Sequence, residues 1–477
     1  MVDIKAFSIR KITAFGLTYL PFADAATEAV PLSRLLRLSL FQVTVGMALV
    51  LMIGTLNRVM IVELGVPAAL VGGMLALPLV FAPFRALIGF KSDNFKSALG
   101  LRRLPFIFKG TILQFGGFAI MPFALLVLSG FGKAAQAPHW IGQVAAALSF
   151  LLVGAGIHTV QTVGLALATD LVEEKDQPKV VGLMYVSLLA GMIVSALAYG
   201  ALLEHYTPLR LIQVIQGSAV TTVVLNFYAM WKQEARNRVR GNAKRGPDEK
   251  FGQAWAKLSE RPGIIRLLAV IALGTAGFGM ADVLMEPFGG QVLAMTVAQT
   301  TRLTIYLAFG NLLGFALASR VLSRGALPLN VAIYGAMIGV PALAFFVVSA
   351  HLLSVLVLTL ATLAAGFGSG LFGHGTLTAT MRSAPREQIG LSLGAWGAVQ
   401  ATAAGVGFAM GGVMRDIVLS RMAVGGSPAE AYTPVFLLEV GLLVLALLLA
   451  LPMFGRKVAA PEEPKTAQDG FAESNAS

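Results

Sequence analysis

The sequence predicts an all-α polytopic membrane protein, with twelve transmembrane helices in two six-helix halves. Three observations carry that prediction. Of its 477 residues, 56% are hydrophobic and only 13% are charged, whereas a soluble domain carries about 25% charged residues. The apolar residues fall into twelve runs of about twenty, and a helix of that length spans about 30 Å, the thickness of a bilayer's hydrocarbon core. Six runs precede and six follow one basic polar stretch, Trp231 to Pro262.

Residues 1–37 are amphipathic. Phe7, Ile9, Ile12, Phe15, Tyr19 and Leu20 interleave with Arg10 and Lys11, punctuated by Pro21 and Pro31. This pattern predicts an interfacial segment on the cytoplasmic leaflet, with a disordered tail as the alternative. The first half, 38–231, holds predicted spans at 38–62, 68–88, 106–128, 141–168, 180–202 and 209–231. Residues 232–263 form a basic linker carrying Lys232, Arg236, Arg238, Arg240, Lys244, Arg245, Lys250, Lys257 and Arg261. The second half, 264–455, holds spans at 264–286, 300–319, 330–350, 352–378, 389–412 and 434–454. The tail, 456–477, is rich in Pro, Glu, Ala and Ser and reads as disordered.

The net charge of +12 does not point to nucleic acid, because its distribution is one-sided. About 27 of the Lys and Arg fall in loops on one side of the membrane and about 4 on the other, the positive-inside asymmetry. It places both termini and the linker in the cytoplasm, against an anionic lipid surface. The absence of cysteine excludes disulfides, iron–sulfur clusters and thiol catalysis. No compact apolar core precedes a small-residue cleavage site, so no cleavable leader is expected. Nothing resembles a phosphate loop, a zinc site or a nucleophile triad, so the chain reads as a non-enzyme.

The halves look like repeats. Span 1 contains Gly54-Thr-Leu-Asn57-Arg58 and span 7 contains Gly279-Met-Ala-Asp282. Span 4 contains Gly154-Ala-Gly-Ile-His158, with Thr162 beyond, and span 10 contains Gly370-Leu-Phe-Gly-His374, with Thr378 beyond. Polar residues thus recur at matching offsets, as in transporters whose halves are related by an axis along the membrane normal.

Ionisable groups at membrane depth cost at least about 2.5–3.5 kcal/mol each. Asn57 and Arg58 stand near the periplasmic end of span 1, and Asp282 and Glu286 share one face of span 7. Arg58 is expected to pair with Asp282 or Glu286 across the bundle, as a staple or as a gate. Arg85 and Lys109, near the cytoplasmic boundary, are expected to snorkel. His158 and His374 each follow a glycine by four residues, which clears one helix face above the imidazole. Light-harvesting polypeptides use a similar small-x-x-x-His arrangement to bind chlorophyll magnesium, so Gly154–His158 and Gly370–His374 resemble tetrapyrrole ligand sites. Gln161 is one turn from His158 and can bond a ring carbonyl or the imidazole. The alternatives are packing histidines or a proton relay. The remaining glycines, as in Gly366-Phe-Gly-Ser-Gly370, fit close helix packing.

The loop after span 2 contains Gly89, Asp93, Arg102 and Arg103 and resembles the loop signature of the major facilitator superfamily, although about three extra residues separate Asp93 from Arg102. In that family the Asp caps a helix end and pairs with Arg, latching the halves on the cytoplasmic side; a solvated loop is the alternative. More specific blocks are Leu56-Asn-Arg-Val-Met-Ile-Val-Glu-Leu-Gly-Val-Pro67, Ala82-Pro-Phe-Arg-Ala-Leu-Ile-Gly-Phe-Lys-Ser-Asp93, Phe115-Gly-Gly-Phe-Ala-Ile-Met-Pro-Phe-Ala-Leu125 and Ala168-Thr-Asp170. Leu20-Pro-Phe-Ala-Asp24 and Pro31-Leu-Ser-Arg-Leu-Leu-Arg37 also fit. Over nearly its whole length the chain resembles the bacteriochlorophyll delivery family, the PucC/LhaA group of that superfamily. The resemblance implies an assembly factor of phototrophic bacteria, in the cytoplasmic or photosynthetic inner membrane. Its cargo would be bacteriochlorophyll or a late precursor and its partners antenna polypeptides, with the core-antenna branch favoured over the peripheral one. A proton-coupled transporter of a small solute and a pigment-free scaffold are the rival readings.

Overall fold

The structure is a computed structural model. It describes residues 30–80, 85, 88, 92, 95, 101–130, 132–173, 177–234, 259–383, 389–422 and 427–455. The expectations for residues 1–29, for Gly89 and Asp93, for most of the linker and for the tail therefore lie outside the described residues.

The described residues form twelve long helices and no strand. They are α1 (Leu32–Glu63), α2 (Ala68–Val80), α3 (Leu104–Leu128), α4 (His139–Asp170), α5 (Gln177–Leu202) and α6 (Pro208–Met230), then α7 (Ile264–Val292), α8 (Val297–Ser323), α9 (Pro328–Leu352), α10 (Val355–Arg382), α11 (Ile389–Arg421) and α12 (Pro428–Ala450). Each coincides with a predicted span. Eleven are long and apolar enough to cross a membrane, and α2 is apolar over its described part. Because the number of spans is even, α1 begins and α12 ends on one side, the terminal face; the other side is the distal face.

The boundary at residue 38 needs correction. Leu32–Leu38 is already helical, and Leu32, Leu35 and Leu38 are buried. Arg34 donates from Nη2 to the Gln233 carbonyl at 2.8 Å. The last residues of the N-terminal segment therefore pack into the bundle and not along a leaflet. Further along, α1 widens into π-helical turns over Val50–Leu56 and Val59–Glu63, which re-aims the side chains between them.

The two halves repeat the same contacts. In the first half α3 packs on α4 and α6, and α1 on α5; in the second α9 packs on α10 and α12, and α7 on α11. The halves meet along α2–α11 and α5–α8. Large apolar side chains such as Phe123, Leu148, Val194 and Leu356 face outward, as lipid contact requires. Trp140 and Trp231 stand exposed at opposite ends of the bundle, where indole rings favour the headgroup level.

Glycine controls the closest approaches. A Cβ on Gly310 would strike the Leu363 carbonyl, one on Gly366 the Leu307 carbonyl, and one on Gly370 the Asn311 carbonyl. α8 and α10 thus touch backbone to backbone. Replacing Gly366 by Leu is expected to cost at least about 1–3 kcal/mol through overpacking, read as a lower Tm and less folded protein in detergent. Gly441→Leu, at a position with open space around its Cβ, should change neither.

Candidate functional site

Polar side chains gather at three depths of the bundle. At the distal face α11 holds the tip of α2. Asp416 Oδ2 accepts the backbone N–H of Ala69 at 2.7 Å, capping the α2 N-terminus. Arg415 bonds Asp416 at 2.7 Å and donates to Gln291 Oε1 of α7 at 2.7 Å. The Tyr432 hydroxyl of α12 donates to the same oxygen at 2.5 Å, and the guanidinium stands 5.3 Å from the Tyr432 ring. Gly412 against the Ala68 carbonyl and Gly72 against the Phe408 carbonyl leave no room for a side chain between the halves there. The distal face is closed.

One layer inward are the intramembrane acids. Glu286 is fully buried and accepts from Thr304 Oγ1 of α8 at 2.5 Å. Its Oε1 lies where a Cβ on Gly54 of α1 would be, so this glycine admits the carboxyl to the seam between halves. Asp282, one turn away, is half-buried. Glu439 of α12 is fully buried, and neither of its oxygens has a partner among the described residues. The expected Arg58 pair is not formed: Arg58 bonds Glu63 of its own helix and donates to the Met295 carbonyl at 3.1 Å. The reason is geometric, since the π turns of α1 bring Glu63 back toward Arg58. The α1–α7 link is made instead by Asn57, whose amide donates to the Val283 carbonyl.

A third layer lies toward the terminal face. Thr162, Tyr185, Phe315 and His374 each stand eight residues from the terminal-face end of their helices, at Asp170, Gln177, Ser323 and Arg382, or about 12 Å along the axis. Arg85, five residues beyond the described end of α2, joins this layer. It donates from Nε to Thr162 Oγ1 at 3.0 Å and from Nη2 to Gln161 Oε1 at 2.9 Å. It therefore turns into the bundle and does not snorkel, because two neutral acceptors wait on α4. Lys109 is exposed beside Phe95 and Phe106, 5.9 Å from each ring. Tyr185 of α5 is within electrostatic reach of Arg85. Its ring stacks on Phe315 of α8 at 6.4 Å between centroids, and Phe315 meets His374 edge-on at 4.2 Å.

The histidines and their glycines part company here. The space at Gly154 is filled by the Pro78 ring of α2, and that at Gly370 by the α8 backbone between Asn311 and Phe315. No macrocycle slot exists above either imidazole on that face, because in each half the glycine seats the neighbouring helix. His158 faces the Pro78 carbonyl and lies near Arg85. The Nδ1 atoms of both histidines are buried without a partner among the described residues. His374 is only half-buried, and beside it Gly373 faces open space.

At the terminal face Arg102 and Arg103 bond Asp170 at 2.7 and 3.0 Å, and Arg103 donates to Ser92 at 2.7 Å. Glu234 accepts the backbone N–H groups of Arg102, Arg103 and Leu104 at 2.7–3.1 Å, capping α3. Both acids belong with the first half, so these contacts brace that half and do not latch it to the second. Glu439, Arg415, Asp416, Tyr185 and Phe315 were not singled out from sequence. Glu439 alone carried a signal, a carboxylate inside an apolar run.

Residues 55–458 match the family described as PUCC protein. The chain is 62% identical over 435 residues to Protein PucC of Rhodovulum sulfidophilum, covering 91% of this chain and 96% of the relative. To Protein PucC of Rhodobacter capsulatus it is 60% identical, covering 95% and 99%. Among solved structures, a D-xylose-proton symporter is 15% identical with a TM-score of 0.65, over 90% of this chain and 98% of that one. A bacterial homologue of the lysosomal transporter Spinster is 16% identical with a TM-score of 0.63, again over 90% and 98%. The fold is that of the major facilitator superfamily.

Two measurements check the pairing and the packing. Arg58→Met and Glu63→Gln should be non-additive in Tm, the double variant losing less than the sum of the singles. Arg58→Met and Asp282→Asn should be closer to additive, since among the described residues no ion pair joins them. Gly154→Leu should lower Tm through its clash with Pro78, whether or not pigment is present.

Proposed function

The chain belongs to the PucC family, and on that premise we propose that it serves the formation of bacterial light-harvesting complexes. In this reading it holds bacteriochlorophyll or a late precursor between its halves and passes it to antenna polypeptides. The observation that carries the reading is the match over nearly the whole length to relatives named PucC. The names of these relatives do not distinguish the core antenna from the peripheral one. The geometry supports the reading in one respect. The distal face is closed between α2 and α11, while the described ion pairs of the terminal face run within a half. Cargo would enter and leave from the terminal side or sideways into the membrane. No group arranged for catalysis is needed; the protein binds, shields and releases.

The buried acids favour a second reading. Asp282, Glu286 and Glu439 resemble the intramembrane carboxyls of a proton-coupled transporter, since ionisable groups at that depth mark proton paths. Proteoliposomes under a proton gradient would accumulate a solute in that case.

The deciding measurement is the absorption spectrum of the protein purified from a phototrophic host. A bacteriochlorophyll or precursor band in fixed ratio to protein is expected, with loss of antenna absorption in a strain lacking the gene. Protein without any tetrapyrrole, in a strain whose antenna assembles normally, refutes the reading. Orientation follows from charge: protease added to the cytoplasmic side should cut the linker within 235–258, and cutting only from the periplasmic side reverses the topology.

A further inference from the structure

We propose that the Arg85 layer is a recognition site for a free carboxylate on a flat, largely apolar cargo, so that the chain takes a tetrapyrrole acid in preference to its ester. The proposal rests on the pigment reading above and deepens it.

Arg85 is a permanent cation within a span. Its described partners, Gln161 and Thr162, are neutral, and among the described residues no carboxylate pairs with it. Two described acids of the first half are engaged elsewhere: Asp170 with Arg102 and Arg103, and Glu63 with Arg58. Those of α7 lie a layer away toward the distal face. A guanidinium out of water without a counter-charge is costly, and that cost is relieved when an anion arrives. The two neutral acceptors hold Nε and Nη2, which fixes the plane of the guanidinium. Nη1 makes no bond among the described residues, and Arg85 is only half-buried. A planar fork with a free donor edge suits a carboxylate better than a lone phosphate or a neutral carbonyl.

The rest of the layer suits the body of such a cargo. Tyr185 and Phe315 present stacked rings across the seam between α5 and α8, and His374 extends the line into the second half. A flat ring finds π-faces there. The His374 Nδ1, buried without a partner, is available to a ring substituent or to a central metal. Gly373 leaves room on α10 beside it. The anchor is in the first half and the ring wall spans both, so bound cargo bridges the halves at one depth. His158, one turn from Gln161 and near Arg85, adds a polar edge but no compensating negative charge.

The test uses the full chain in lipid nanodiscs, titrated with bacteriochlorophyllide as free acid and as methyl ester, and read by quenching of protein fluorescence. The acid is expected to bind about tenfold more tightly or better, the worth of a charge-assisted hydrogen bond. Arg85→Gln should bring the acid down to the affinity of the ester and leave the ester unchanged. Arg85→Lys should keep part of the preference, as a charge without the fork. Equal binding of acid and ester by the unaltered chain overturns the carboxylate site while leaving the pigment reading standing, as does an acid preference that survives Arg85→Gln. Binding of neither probe ends both. If Arg85→Gln fails to fold, the acid-to-ester ratio of the unaltered chain still decides.

Discussion

Inside hydrocarbon a helix gains little by turning an apolar face to another helix, since lipid tails are just as apolar, and association depends on close van der Waals contact. In this chain glycine provides that contact. Gly310, Gly314, Gly366 and Gly370 bring α8 and α10 together at the level of their carbonyls, and Gly110, Gly117 and Gly156 do the same for α3 and α4. Side chains near those seams have their positions set by the backbones. Phe315 and His374 meet because α8 and α10 are locked one turn away, at Gly370. Likewise Gly154 brings Pro78 onto α4, and Arg85, seven residues further along the chain, bonds Gln161 and Thr162 of the same helix.

The charged groups follow a second rule of the same medium, that a polar atom at depth must find a partner or a purpose. Most find partners. Arg58, Asn57, Arg415 and Asp416 all use backbone groups or nearby side chains to join helices of different halves or different ends. A smaller set does not: among the described residues, the Glu439 carboxyl, the second oxygen of Glu286 and the Nδ1 atoms of His158 and His374 are buried without a partner. Arg85 is bonded yet uncompensated in charge. A bundle that needed only to stand in the membrane would have apolar residues at these positions. Glu286 lies at the seam between halves, beside Gly54 of α1, and Glu439 within the second half.

The α2–α11 contact is tight at the distal face, where Gly72 and Gly412 let the two backbones touch and Asp416 caps α2. The described braces of the terminal face, Asp170 with Arg102 and Arg103 and Glu234 with the α3 N-terminus, hold one half rigid without tying it to the other.

Much of this was legible in the sequence. Length and apolar periodicity determined the twelve spans, because a helix must cross a fixed thickness of hydrocarbon, and every described helix falls on its run. The duplicated motifs placed His158 and His374 at equivalent positions, and the quoted blocks pointed to the family. Which groups touch was decided only by tertiary structure. Arg58 has acids available on two helices and takes Glu63, because π turns in α1 alter the angular spacing that an ordinary helix would impose. Gly154 and Gly370 read as slots for a ligand, yet a neighbouring helix fills each, since a gap beside a glycine attracts whatever backbone is nearest. Arg85 reads as a boundary residue by its distance from the loop, and only the placement of α4 beside it shows a cation turned inward. Sequence determines how far along a span a residue lies; the direction it faces across the bundle depends on neighbours that are remote in the chain.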